Sequence, residues 1–237
     1  MLNIRWKSPL WLAACLLPWF LPRLVSLEAQ APGDLSQRTF DVTVDRLTPI
    51  QALIQFGMEN HVPMGIVLGS TQALCGEPRK LSLKRATIRQ VTRELLAGSD
   101  YSASIEDGVV VVKPSDMPET SGRILTIKHQ RFGGMKTTMQ GLGILLAASI
   151  HQYLHPTEGF AGNIMSGSDA ENVPPFVLSN ATTEQIADHI VTLESKGAWI
   201  LFPPRDEAAE ASNNAPPFHI YGYSDDRQAL SRLSCAE

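Results

Sequence analysis

His151-Gln-Tyr-Leu-His155 sets two metal-ligating side chains one helical turn apart, with Glu158 close behind. Imidazoles at i and i+4 share one face of a helix and can bind zinc once a third ligand joins them. A metalloprotease needs a glutamate directly after the first histidine as its general base, and Gln152 stands there instead. Pro156 follows the pair, so His151 and His155 also read as the closing turn of a helix, where such side chains suit the dipole. The remaining histidines, His61, His129, His189 and His219, are scattered, and no serine lies in a nucleophile-elbow sequence. Gly133-Gly134, and Gly141 with Gly143, lack the spacing and the Lys-Ser/Thr ending of a phosphate loop; they read as a turn and a thin stretch of helix. Asn180-Ala181-Thr182 matches a glycosylation sequon, but the same residues carry a strand-to-helix turn and its cap. The expectation is a non-enzymatic chain with no catalytic residue, metal or cofactor. The competing reading is a small metal-dependent hydrolase using His151 and His155.

The elements that would position such residues must be built from 237 residues, enough for one large or two small domains. Hydrophobic residues at 43% and charged residues at 19% exclude disorder of the whole chain. A net charge of −4, without the clustered Lys and Arg that phosphate neutralisation needs, disfavours nucleic acid as partner. Arg5 and Lys7 precede an apolar run from Pro9 to Leu21, and Ala29 and Ala31 form an Ala-x-Ala site, so residues 1–31 read as a secretory leader. Its alternative is a retained inner-membrane anchor. Leu12-Ala13-Ala14-Cys15 resembles an acylation box, but the apolar run continues past Cys15. Without the leader, Cys75 and Cys235 remain, a disulfide candidate in a compartment that permits one.

Residues 78–113 are the most legible stretch. Leu81 and Leu83 alternate with Lys80, Ser82 and Lys84 as a half-buried strand. Ile88, Val91 and Leu95 then recur at helical spacing, opened by the capping-box pattern Thr87-x-x-Gln90 and closed by Gly98. Tyr101 to Ile105 and Val109 to Val112 are β-rich runs around an Asp107-Gly108 hairpin turn. Upstream, Phe40, Val42 and Val44 predict a strand, Thr48-Pro49-Ile50-Gln51 a helix ending near Asn60, and Met64 to Leu68 a second strand. The order is βαββαββ.

The helix, the Leu95-Leu96-Ala97-Gly98-Ser99 ending, the aromatic strand, the Asp-Gly turn and the Val-rich strand resemble the short N-terminal domain shared by secretins and TonB-dependent receptors. Thr48-Pro49-Ile50-Gln51-Ala52-Leu53 looks like the opening of that module's first helix, so the resemblance covers about residues 38–114. It implies a small α+β binding module that docks a protein partner in the cell envelope.

After a linker read at Pro114 to Gly122, the second half echoes the first at an offset of 95: Leu178, Ala181, Thr182, Gln185, Ile186 and Ile190 fall on Leu83, Ala86, Thr87, Gln90, Val91 and Leu95. Leu125 and Ile127 suggest a strand there, Met135 to Tyr153 a long helix, and Trp199 to Phe202 with Phe218 to Tyr221 the last two strands, around a hairpin loop at 203–216. The expected fold is α+β, two small βαββαββ-type modules in tandem: 38–114, a divergent copy at 122–222, then a tail at 223–237 with a short polar helix from Ser224 to Leu233. The expected function is an exported, periplasmic or secreted protein–protein binding module, an adapter or envelope-assembly component. No 10-residue alternating strands of a barrel follow. Membrane contact would come only through an uncleaved leader. The module at 38–114 is expected to fold alone, with Val109, Val110, Val111 and Val112 as the open strand edge for a partner.

Overall fold

The computed structural model describes residues 34–157, 172–193, 197–203, 218–223 and 233. The leader, most of the expected hairpin loop and most of the Ser224–Leu233 helix lie outside these. In the first half, β1 (Thr39–Leu47) buries Phe40, Val42 and Val44 and exposes Asp41, Thr43 and Asp45. Helices α1 (Pro49–Asn60) and α2 (Ile88–Leu96) both open on reciprocal capping boxes, Thr48 with Gln51 and Thr87 with Gln90. In each, the Thr hydroxyl accepts from the Gln backbone N–H and the Gln side chain accepts from the Thr N–H, which satisfies two orphan donors. The strands β2 (Met64–Val67), β3 (Arg79–Thr87), β4 (Tyr101–Glu106) and β5 (Val109–Pro114) complete the βαββαββ order. Asp107 and Gly108 both take positive φ, 48° and 84°, as a type I′ hairpin turn requires. A 3₁₀ turn, Thr71–Cys75, replaces the expected loop.

The second half runs α3 (Glu119–Thr126), β6 (Lys128–Gly133), β7 (Thr137–Thr138), α4 (Met139–Leu154), β8 (Asn172–Val173), β9 (Val177–Thr182), α5 (Thr183–Thr192), β10 (Gly197–Leu201) and β11 (Phe218–Gly222). A third capping box, Thr182 with Gln185, starts α5. Two expectations are corrected here. The linker at 114–122 contains the start of α3, and the strand expected at Leu125 and Ile127 is the end of that helix. Ile124 and Leu125 are buried at helical rather than strand spacing, and the strand begins at Lys128.

Each half has a two-stranded antiparallel ladder, β1 with β3 and β6 with β9. In each, a capped helix follows the ladder's second strand. Arg85 and Asn180 hold left-handed φ values of 50° and 53°, each two residues ahead of the capping threonine. Such φ is uncommon in a non-glycine residue.

The halves are not separate bodies. One five-stranded sheet runs β11-β10-β2-β5-β4, with β2 paired in parallel to β5 on one side and to β10 on the other. The hairpin β10–β11 therefore completes itself on a strand of the first half. Met64, Ile66, Val110, Val112, Ala198 and Ile200 face α1, α2 and the β1–β3 ladder. Val67, Val109, Val111, Trp199, Leu201 and Phe218 face the helices of the second half. This corrects the expectation that 38–114 is an independent domain, because its sheet is apolar on both faces and residues 32–237 form one compact unit.

Trp199 lies opposite Gly65 in the β10–β2 pairing. A methyl added to Gly65 would come within 2.2 Å of the indole ring, so only glycine fits. Gly65→Ala should cost roughly 1–3 kcal/mol by overpacking. Gly122→Ala in α3, whose methyl meets only Met117 Cε at 3.6 Å, should be neutral or stabilising by up to about 1 kcal/mol. Urea denaturation of the two variants measures the contrast, and equal midpoints would refute it.

Candidate functional site

The five-stranded sheet has β11 at one border and β4 at the other. Val110 donates its N–H to Pro63 O at 3.0 Å, so its backbone faces β2. Backbone groups alternate sides along a strand, so Val109, Val111 and Lys113 face β4 and bond their partners Glu106, Ser104 and Ser102. The intervening Tyr101, Ala103 and Ile105 therefore aim their N–H and C=O groups outward, where no strand pairs with them among the described residues. Their side chains line the floor of a cleft of about 690 Å³ against α2, with Arg89, Arg93 and Leu96 on its wall. Backbone groups and side chains at one open margin are what strand addition by an extended peptide uses.

This displaces the expected edge. Val109, Val110, Val111 and Val112 are at most 1% exposed and lie between β2 and β4. A proline at Val111 would break the sheet rather than probe a surface.

A polar cluster joins the halves on the opposite face of the same border. Lys113 on β5 pairs with Glu184 on α5 at 2.7 Å, both largely buried. Asp188, one turn along α5, accepts a hydrogen bond from the Trp199 indole N–H at 2.7 Å. Burial pushes the Asp188 carboxyl up to about 7; Trp199 and Lys113 oppose the rise, and the negative charges of Glu184 and Glu106 add to it. This cluster was not read from the sequence, although Glu184 and Asp188 at i and i+4 on a helix bordered by Ile186 and Ile190 were there to see.

His129 is also buried, its Nδ1 and Nε2 each 2.9 Å from a hydroxyl, Ser149 on α4 and Thr183 on α5. Burial holds its imidazole below the ordinary value. A neutral ring can donate once and accept once, which satisfies both bonds and ties β6 to two helices. Ser149 sits within α4, and both ring nitrogens of His129 are taken up by hydroxyls rather than by a carboxylate.

His151 and His155 close α4 with rings 4.9 Å apart. Glu158 lies outside the described residues, and among the described residues no third His, Cys, Asp or Glu gathers with them into a metal-binding group. Cys75 is disulfide-bonded. Cys235 lies outside the described residues, but Leu233 packs on the first core and its carbonyl accepts from Gln51 Nε2 at 3.0 Å. No helix among the described residues is long and apolar enough to cross a membrane. No family model, curated protein or solved structure matches this chain.

A carboxyl raised in the folded state stabilises fully below its unfolded value near 3.8 and loses that contribution as pH climbs toward 7. Between pH 4.5 and 7.5 the wild-type protein should therefore lose about 3 kcal/mol relative to Asp188→Asn, which keeps an acceptor for Trp199. Parallel pH–stability curves for the two would show that Asp188 titrates normally.

Proposed function

We propose that this chain is an exported, non-enzymatic protein-binding module of the cell envelope, a periplasmic adapter or assembly component, which takes a partner strand along the outer edge of β4. The observation that carries the reading is that Tyr101, Ala103 and Ile105 present their side chains to the cleft and their backbone groups to the open edge. The βαββαββ order supports the likeness to the secretin and TonB-receptor short domain, whose members dock protein partners. The three capping boxes and the left-handed residues at Arg85 and Asn180 support a tandem pair of that unit. Export is supported by the leader pattern and by the bonded state of Cys75, since disulfides persist in oxidising compartments.

A photoreactive residue placed at Ala103 tests the edge in living cells, with the same residue at Thr43, on the exposed face of the β1–β3 ladder, as the control. Irradiation should give an adduct with an envelope protein from position 103 and none from 43. Adducts from both positions, or from neither, would sink the edge reading.

The pairing of Cys75 is tested separately. Non-reducing peptide mapping should recover Cys75 joined to Cys235, and reduction should lower stability by roughly 2–4 kcal/mol. A free Cys75 thiol in protein from the native host would remove this support for export.

A further inference from the structure

The two margins of β4 carry opposite charge. On the cleft side, Arg89 and Arg93 stand one helical turn apart on α2, both exposed. Arg89 makes no ion pair among the described residues, and Arg93 meets only its neighbour Glu94, at 3.1 Å on the surface. On the other side lie Ser102, Ser104 and the exposed Glu106, with Glu184 of α5 behind them, ion-paired to Lys113. A strand added to β4 would send alternate side chains to these two margins, because successive residues point to opposite faces.

From this charge asymmetry we infer that the occupant is an extended protein segment carrying a carboxylate at every second residue, those side chains turned toward Arg89 and Arg93, with small uncharged residues between them. The inference rests on the strand-edge reading above and adds the chemistry of the partner. Guanidinium groups bind carboxylates through charge-assisted, often bidentate hydrogen bonds, and the floor at Ala103 and Ile105 leaves room for the acidic side chain's methylenes. Uncharged residues on the far margin avoid burying a second negative charge beside Glu106. A chain of net charge −4 repels acidic partners at long range, so the selectivity is local to this cleft.

Two fluorescently labelled peptides of roughly ten residues, one alternating Glu with Thr and one alternating Lys with Thr, are titrated with the full chain at low salt. The acidic peptide should bind about 10-fold more tightly or better, and the difference should shrink on raising salt to about 300 mM. Arg89→Glu combined with Arg93→Glu, both on exposed positions, should abolish the preference. Ala103→Pro should lose the acidic peptide, since it removes an outward N–H without touching the β4–β5 bonds. Circular dichroism confirms that each variant is folded. Equal affinity for the two peptides, or a preference that survives the double reversal, overturns the acidic occupant and leaves the strand edge standing. Undiminished binding by Ala103→Pro overturns the edge itself. A dimer that dissociates on Ala103→Pro would assign the edge to a second copy of the chain and likewise overturn the inference.

Discussion

Trp199 lying over Gly65 is the contact from which the rest of the architecture follows. It places the largest side chain of the second half on the barest position of the first, in adjacent parallel strands. Burying an indole also buries its N–H, and an unpaired donor in a dry core costs about as much as the aromatic contact gains. Asp188 supplies the acceptor. That carboxylate is then itself drawn out of water, and the charge of Lys113 opposes its neutralisation. One missing Cβ thus accounts for a tryptophan, an acid and an interlocking ion pair.

The same contact decides how far the sheet extends. In the first half taken alone, β2 would be a border strand and its hairpin would cover only one of its sides. Because β10 occupies the other side of β2, that border is sealed and moves out to β11, while β4 stays a margin of the larger sheet as it is of the first half. Helix α2 stands over one face of the margin and α5 over the other, and the charges they carry differ in sign. The union of the halves thus uses up an interior edge at β2 and leaves β4, between helices of opposite charge, at one border of the sheet.

What the sequence made legible was what is specified locally. Thr48, Thr87 and Thr182, each with glutamine three positions on, mark helix starts because the cap is satisfied within four residues. Asp107-Gly108 marks its turn for the same reason. What stayed hidden depends on partners far along the chain. Val109 to Val112 is an unbroken apolar run, and a strand without alternation is one buried on both faces. That signal argues against an edge. Helix α3 was obscured by Pro118 and Gly122, although Glu119 in its first turn and Arg123 in its last carry the right charges for its dipole. The His129 trio could not be read at all, since Ser149 and Thr183 meet the ring only through the fold.

The β2–β10 pairing joins Met64 to Ala198, and this sets an order of events as the polypeptide is made. Sheets whose strands are distant in sequence form slowly, since a large loop must close before any ladder bond rewards it. As the N-terminal half emerges, its middle strand and the apolar face of Val67, Val109 and Val111 wait for a hairpin that has yet to be synthesised. Until Trp199 arrives, that half resembles an intermediate with an exposed strand edge, the kind of species that chaperones hold and that aggregates when they do not. Translocation through a membrane in an unfolded state would shorten this interval, by delivering both halves to the far side before either has committed to a partner.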